Sequence, residues 1–367
     1  MKLKTVFWFG SAFLCLLGTS LAKTIGGNVS PFDVNLTTAQ KKAYLERHDH
    51  AFQALAERIR DPFVTLGPDG YYYVTGTTAG SHWGEQIGIR VWRSENLAEW
   101  EDLGFVWDLH KDGKAQGSWH FEQPIRNPQF KNPYAVWAPE IHYLNGTWWI
   151  PHCLNVGGHG LLKSTSGKPE GPYIALDPIQ RTKIDSHLFQ EADGTTYYCY
   201  QADYIAKMDE DMEKIVEDFH KLEHDGNHPL GYEGILILKI DDFYLHIASG
   251  RYGYEPTNTY DLFYAVSKEL YGPYGERRKM IKRAGHGNLF QDKQGRWWST
   301  AFDHQMTDEW SLWLVPIEIE VTEDDVLVHV KDERFRPDAE DEEVVKKLSK
   351  SGIPKKWKNQ VPWWRPE

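Results

Sequence analysis

The segment HLFQEADGTTYYCY, residues 187–200, decides the fold of this chain. An apolar lead is followed by a turn containing Asp-Gly and then by paired aromatic residues, which is the pattern of a β-hairpin. Each such hairpin is expected to have a two-residue turn. Four further segments repeat the pattern: FVTLGPDGYYYV (63–74), PEIHYLNGTWWI (139–150), LILKIDDFYLHI (236–247) and NLFQDKQGRWWST (288–300).

The spacing of these hairpins indicates how they assemble. Their turn residues are 76, 48, 48 and 53 residues apart, at Gly70, Gly146, Gly194, Asp242 and Gly295. A period near fifty residues is typical of propeller blades, each of which needs four strands and their loops. The sequence therefore predicts an all-β fold, a five-bladed β-propeller over residues 61–330. A β-sandwich with coincidental spacing is the alternative.

Composition narrows the classes of function. With 41 Lys and Arg against 53 Asp and Glu, the net charge is −12, which argues against nucleic-acid binding because phosphates require a basic surface. Aromatic residues make up 14% of the chain, which suits both β-sheets and the stacking of sugar rings. Phosphate-loop, zinc-protease and serine-hydrolase motifs do not occur in the sequence, so those chemistries are disfavoured.

The N-terminus has the pattern of a signal peptide. Lys2 and Lys4 precede an apolar run, residues 6–17, and small residues end the segment at Ala22. We interpret residues 1–22 as a secretory signal, which predicts a secreted or periplasmic protein with no membrane attachment after cleavage. A transmembrane anchor is the alternative, although the apolar run is shorter than a bilayer requires.

Two segments flank the predicted propeller. Residues 38–60 carry a helical pattern, so residues 23–60 are predicted to form an N-terminal helical extension, a surface through which the protein could form oligomers. Residues 331–367 are predicted to form a charged tail, in which residues 332–350 make a solvated helix. Between these segments, Cys153 and Cys199 could form one disulfide bridge or remain two buried thiols.

Three acidic residues precede the turns of their hairpins by about eight to ten positions: Asp61, Asp185 and Glu233. The innermost strands of a propeller start around a central funnel, so residues at equivalent blade positions converge there. Converging carboxyl groups are what glycoside hydrolysis requires, one to protonate the leaving oxygen and one to activate water. The apolar neighbours of Glu233 would raise its pKa, as a general acid needs.

Each acid also has a simpler interpretation. Asp61 precedes Pro62 and could cap a turn, and Asp185 could accept a local hydrogen bond. The catalytic hypothesis therefore depends on the three residues taken together.

The ordered motifs resemble those of glycoside hydrolase family 43. The matching pieces are Asp-Pro-Phe before DGYYYVTGT, then VWAPEIHYLNGTWW, IDSHLFQEADGTTYY, YEGILILKIDDFYLHIAS and GHGNLFQDKQGRWW, over about residues 60–305. The resemblance implies a five-bladed propeller that hydrolyses glycosides with inversion, as in β-xylosidases, α-L-arabinofuranosidases, arabinanases and galactanases. It assigns Asp61 as general base, Asp185 as the residue that modulates the acid's pKa, and Glu233 as general acid.

An inverting pair of carboxyl groups should lie about 6.5–9.5 Å apart. The sequence departs from the family pattern at Ser186 and Ile235, where proline is common. These changes affect strand geometry more than chemistry.

Three further residues are candidates for substrate or metal binding. Trp137 matches a pocket aromatic of the family and could instead pack in the core. Arg251 could reach a sugar hydroxyl or lie on the surface. His286 matches a histidine at the propeller axis that joins waters around a structural calcium ion, and it could instead be only hydrogen-bonded. An organic cofactor is not expected. The loops 78–88 and 107–135 are predicted to rim the pocket.

The sequence therefore predicts a secreted, inverting and exo-acting glycoside hydrolase for plant or algal polysaccharides or oligosaccharides, of the arabinofuranosidase, xylosidase or galactosidase type. The alternatives are a retaining propeller hydrolase, a related propeller hydrolase acting on marine galactans with a histidine acid, and a carbohydrate-binding propeller without turnover.

Overall fold

A computed structural model describes residues 33–78, 86–124, 134–225, 230–251, 259–302, 310–343 and 345. The predicted signal peptide over residues 1–22 and the last part of the predicted tail, residues 346–367, lie outside these ranges. Among the helices of the described residues, none has the length and apolar character needed to cross a lipid bilayer.

The described strands form five antiparallel sheets, one for each predicted hairpin. A short helix and a strand come first, α1 (Thr38–Arg47) and β1 (Phe52–Leu55). Blade 1 contains β2 (Arg60–Leu66), β3 (Tyr72–Thr77), β4 (Gly88–Ser94) and β5 (Glu101–Asp108). Blade 2 contains β6 (Val136–Trp137), β7 (His142–Leu144), β8 (Thr147–Leu154), β9 (His159–Ser164) and β10 (Tyr173–Ala175). Blade 3 contains β11 (Ser186–Gln190), β12 (Thr196–Tyr200), β13 (Tyr204–Lys207) and β14 (His220–Lys221).

The last two sheets complete the ring. Blade 4 contains β15 (Glu233–Ile240), β16 (Phe243–Gly250), β17 (Asp261–Ser267) and β18 (Arg278–Ile281). Blade 5 contains β19 (Leu289–Gln291), β20 (Trp297–Ala301) and β21 (Leu312–Val321), and β22 (Val326–Val330) pairs with β21 beside it. The predicted five-bladed propeller is confirmed, and the sandwich alternative is excluded.

Five hydrophobic cores fill the spaces between neighbouring blades. Adjacent side chains on a strand point to opposite faces of the sheet, so Trp148 lies in the core shared with blade 1 and Trp149 in the core shared with blade 3. Each aromatic pair of the sequence pattern thus contributes to two cores. The other four pairs divide in the same way: Tyr72 and Tyr73, Tyr197 and Tyr198, Phe243 and Tyr244, Trp297 and Trp298.

The hairpin turns are of two kinds. Strands β7–β8 and β15–β16 are joined by two residues, as predicted, and Asn145 and Gly146 both have positive φ, 50° and 81°. The other three hairpins have five-residue loops, with Gly70, Gly194 or Gly295 at the fourth position. The two-residue prediction is wrong for these three because the glycine lies near the end of a longer loop.

The predicted helix over residues 38–60 is confirmed only as far as Arg47. A capping box between Thr37 and Gln40 starts α1, and His48 ends it with a left-handed backbone. Strand β1 follows and pairs antiparallel with β21 in blade 5. The second half of the helix prediction is wrong because an N-terminal strand completes the sheet built from the C-terminal blade.

The C-terminal segment packs against blade 4. Residues 339–343 are helical, but the expected solvated character is wrong for Asp341 and Val345, which are buried. The Asp341 carboxylate forms ion pairs with Lys279 and Lys282, each with an N–O distance of 2.8 Å.

Cys153 and Cys199 are both buried free thiols, so they form no bridge.

Two glycines of blade 5 test the fold. Gly285 has φ 69°, and a Cβ there would lie 2.2 Å from the Phe302 ring; Gly295 has φ 75° and would meet nothing within 4 Å. We expect Gly295→Ala to cost about 1 kcal/mol of unfolding free energy for the left-handed backbone alone. Gly285→Ala should cost about 1–3 kcal/mol more through the clash.

The measurement is urea unfolding of both variants, followed by tryptophan fluorescence. Equal losses of stability would contradict the close packing of Gly285 against Phe302.

Candidate active site

In every blade, one residue near the start of the innermost strand has a left-handed backbone. The end of the propeller where these strands start is called the top. These residues have φ between 41° and 69°: Asp61, Ala138, Asp185, Gly234 and Gly285. This conformation is sterically unfavourable for alanine, whereas aspartate tolerates it better and glycine adopts it freely. This shared backbone feature places the side chains at or beside it around the mouth of the central funnel.

The structure brings the three predicted acids together at that mouth. Asp61 and Asp185 both occupy the left-handed position, as equivalent positions in the sequence predicted. Glu233 lies one residue before the left-handed Gly234, in the register that Arg60 takes in blade 1. The predicted equivalence is therefore confirmed for two acids and is one residue off for the third.

Asp61 is held by Thr77 of its own blade, which is in turn held by blade 2. Its Oδ2 accepts a hydrogen bond from the Thr77 hydroxyl at 2.8 Å, and that hydroxyl accepts one from the Ala138 N–H at 2.8 Å. Its other oxygen, Oδ1, lies 3.8 Å from His286 Nδ1. One carboxylate oxygen is thus fixed while the other faces the centre of the site.

Asp185 is the most enclosed of the three acids. Its Oδ2 accepts the Gly234 N–H at 3.0 Å, and the Cys153 thiol donates to Oδ1 at 3.8 Å. Burial above all, with the negative charges of Glu233 and Asp61, raises its pKa to about 8, although the charge of His286 lowers it. The surroundings of Asp185 therefore disfavour its ionised form.

Glu233 has the features of a general acid. Its Oε1 accepts a hydrogen bond from the Tyr260 hydroxyl. Burial is the largest cause that raises its pKa and the charge of Asp61 adds to it, whereas the Tyr260 hydrogen bond and the charge of Arg60 lower it. The net rise favours the protonated form that a general acid needs.

His286 lies among the carboxyl groups, with Nδ1 3.4 Å from Asp185 Oδ2. Burial lowers its pKa, but Asp185, Asp61 and the other nearby carboxylates outweigh burial and raise it overall. The surroundings therefore favour the charged imidazolium form of His286. Its predicted contact with substrate stays a prediction.

The predicted calcium ion fits these surroundings poorly. Calcium prefers six to eight oxygen ligands, and His286 offers an imidazole nitrogen directed at Asp185 and Asp61. Among the described residues, the one group of three close metal-binding donors does not include His286. The calcium site stays a prediction, and the chemistry below uses none.

Trp137 belongs to blade 2, and Arg251 follows strand β16 of blade 4. Trp137 is 6% exposed and packs with Ala138, Cys153 and Ile184, as the core-packing interpretation expects. The Arg251 guanidinium lies 5.4 Å from the centre of the ring of Tyr260, the residue whose hydroxyl binds Glu233. Sugar contact by either Trp137 or Arg251 stays a prediction.

Sequence reasoning missed Tyr260 and Arg60. The Tyr260 ring stacks on Tyr232 with ring centroids 6.0 Å apart. The Arg60 guanidinium lies over the Phe302 and Trp310 rings, 5.0 and 4.8 Å from their centroids. Arg60 adjoins Asp61 in the sequence, but nothing in the pattern indicated that its charge acts on Glu233.

The segment after β5 adds to the rim at the same end of the propeller. A π-helical turn (Leu109–Gly113) and a 3₁₀ turn (Trp119–Glu122) follow β5, whose end lies beside the tops of the inner strands because the strands alternate in direction. Trp119 stacks on His120, and both are buried. This part of the predicted rim is therefore a packed wall. Residues 79–85 and 125–133 of the two predicted rim loops lie outside the described residues.

Known proteins with similar sequences are glycoside hydrolases, which is consistent with the cluster of carboxyl groups. Residues 54–310 match the glycosyl hydrolases family 43. A xylan 1,3-β-xylosidase of a Vibrio species is 24% identical over 269 residues, 65% of this chain and 46% of that protein. A non-reducing end α-L-arabinofuranosidase of Bacteroides ovatus is 25% identical over 264 residues, 65% of this chain and 45% of that protein.

Solved structures show the same fold. A family 43 protein of Bacillus licheniformis has a TM-score of 0.56 at 23% identity, covering 77% of this chain and 57% of that one. An exo-1,5-α-L-arabinanase from a bovine ruminal metagenomic library has a TM-score of 0.56 at 17% identity, covering 75% of this chain and 98% of that one. The fold and the site define a propeller of the glycoside hydrolase kind.

The chain belongs to glycosyl hydrolases family 43, since the match covers well over half of it. It spans less than half the length of the Vibrio and Bacteroides relatives.

Tyr260→Phe tests how the site tunes Glu233. The Tyr260 hydroxyl stabilises the ionised carboxylate, so its removal raises the pKa of Glu233. The acid then stays protonated to higher pH, and the alkaline limb of the pH profile of glycoside hydrolysis should move to higher pH. The measurement is kcat/KM against pH for wild type and variant.

Tyr264→Phe is the matched control. Tyr264 lies in β17, the strand that follows Tyr260, and its hydroxyl contacts Arg278 rather than one of the three acids. The pH profile of Tyr264→Phe should match that of the wild type. An unmoved alkaline limb in Tyr260→Phe would contradict the assignment of Glu233 as the acid that Tyr260 tunes.

Proposed function

We propose that this protein is an inverting glycosidase that removes α-L-arabinofuranosyl or β-D-xylosyl residues from the non-reducing ends of plant or algal polysaccharides. The observation that carries the proposal is the meeting of Asp61, Asp185 and Glu233 around His286. Family membership supports hydrolysis of glycosides, and the names of the Vibrio and Bacteroides relatives support a pentose. Such polymers lie outside cells, so the proposal includes export through residues 1–22.

Glu233 begins the reaction as the proton donor. Its raised pKa favours the protonated form, which gives its proton to the glycosidic oxygen as the bond to the anomeric carbon breaks. The hydrogen bond from the Tyr260 hydroxyl then stabilises the carboxylate that remains. This interaction is stronger with the charged product form, so it assists the transfer of the proton.

Asp61 acts on the opposite face of the sugar ring. Thr77 fixes its Oδ2, which leaves Oδ1 to take a proton from the attacking water. A single displacement by that water inverts the anomeric configuration. After both transfers the proton has moved from Glu233 to the leaving group, and Asp61 carries the proton of the water.

Asp185 sets the charge around Glu233. The negative charges of Asp185 and Glu233 oppose each other's ionisation, which is one cause of the raised pKa of Asp185. Its Oδ2 holds the backbone N–H of Gly234, the residue next to the acid. We assign it a positioning role, because it acts on the acid through the backbone and through its charge.

Two substitutions with two leaving groups test these assignments. Glu233→Ala should lower kcat/KM on a p-nitrophenyl pentoside by about 10²–10⁴-fold, and much less on a 2,4-dinitrophenyl pentoside, whose leaving group departs without a proton. Asp61→Asn should lower the rate on both substrates equally, because both need activated water. The configuration of the first product is read by proton NMR and should be inverted.

Asp242→Asn, at an exposed carboxylate in the β15–β16 turn, is the control and should keep full activity. Retention of configuration, or an equal loss on both leaving groups in Glu233→Ala, would overturn the roles assigned. If the wild type hydrolyses none of the glycosides but binds sugar, the result would favour a carbohydrate-binding propeller without turnover.

The proposal includes exo action, because the packed wall of residues 109–122 stands at the same end of the propeller as the acids. We expect linear arabinan or xylan to release monosaccharide from the start with no early fall in viscosity. An oligosaccharide labelled at its reducing end should keep the label until the last unit. Early oligosaccharide products would instead show internal cleavage.

A further inference from the structure

A second cluster of ionisable side chains lies deeper in the propeller than the acids. Glu140 Oε2 lies 2.7 Å from His142 Nε2 and 2.8 Å from His187 Nδ1. The exposed fractions of the three side chains are 5%, 10% and 5%. The mechanism proposed above uses none of these residues.

The cluster lies at the propeller axis. His142 belongs to β7 and His187 to β11, the innermost strands of blades 2 and 3. Phe63 of the innermost strand of blade 1 packs on both imidazoles, with ring centroids 4.6 and 6.2 Å away. Residues of three blades therefore meet here, as only the axis allows.

The donor set suits a particular class of metal. Two imidazole nitrogens and one carboxylate oxygen, all within 4.8 Å of one another, are ligands that zinc and similar divalent transition metals bind. Calcium and magnesium prefer oxygen ligands and larger coordination numbers. The set therefore differs from the calcium site expected around His286.

One nitrogen orients the His187 ring. Its Nε2 is buried and has no hydrogen-bond partner, so the ring is oriented through Nδ1 alone. Nδ1 is the nitrogen that lies beside the other two donors of the cluster. A divalent cation would also offset the charge of a carboxylate buried in the centre of the molecule.

We propose that Glu140, His142 and His187 form a binding site for a divalent transition metal of the zinc type, which ties blade 2 to blade 3 at the propeller axis. The site stabilises the fold, and its three residues transfer no proton in the reaction proposed for Asp61 and Glu233.

The first experiment measures metal content in the full chain. Protein stripped with a chelator is incubated separately with zinc and with calcium, passed through a desalting column and analysed by plasma mass spectrometry. We expect one zinc per chain, no retained calcium and a higher unfolding temperature with zinc. Cobalt in place of zinc should give the visible absorption of a nitrogen and oxygen site.

Variants locate the site. Glu140→Gln and His187→Phe should each weaken zinc binding by more than about 100-fold, because the loss of supporting residues alone costs 10–100-fold. His152→Asn is the control: His152 is a buried histidine that contacts His120 elsewhere in blade 2, and the variant should keep one zinc. Circular dichroism checks that the variants fold.

The wild-type result stands even if a variant fails to fold. A wild type that retains neither zinc nor cobalt would overturn the proposal and leave the cluster as a hydrogen-bonded triad. Retention of calcium alone, or zinc binding unchanged in both variants, would overturn it as well. Glycosidase activity is measured separately, so failure here leaves the proposed reaction untouched.

Discussion

The left-handed residue at the top of each innermost strand is the constraint on which the site depends. Asp61, Ala138 and Asp185 adopt it without being glycine, at a cost of about 1–2 kcal/mol each. Neighbouring blades hold the strained positions: the Ala138 N–H reaches Asp61 through Thr77, and the Gly234 N–H binds Asp185. Such strain persists where the surroundings impose it, and it commonly marks functional sites.

The fold could be predicted because its signal is local and repeated. Each hairpin carries its own turn residues and its own aromatic pair, and the pairs are needed because every blade must fill two cores. The strand Phe52–Leu55 was not predictable in this way. Its partner is β21, far along the chain, and a short apolar segment has no local feature that distinguishes a closing strand from the end of a helix.

The candidate site was predictable in part, for the same reason. Asp61 and Asp185 share a backbone position that equal spacing reveals, whereas Glu233 stands one residue before that position, in the register of Arg60. Tyr260 and Arg60 reach Glu233 only through tertiary packing. Sequence pattern gives the residues that repeat with the blades, and it does not give those that join one blade to another.

The protonation of the pocket follows from its burial. Three carboxyl groups removed from water cannot all ionise at low cost, and the rise of the pKa of Asp185 to about 8, with the raised pKa of Glu233, expresses that limit. The pKa of His286 rises because it faces Asp185 and Asp61. Because each group acts on the others, the apparent pKa values describe the coupled set of groups and not single residues. A propeller suits such chemistry, since separate blades can bring an acid and a base into one pocket while each keeps a different set of hydrogen-bond partners.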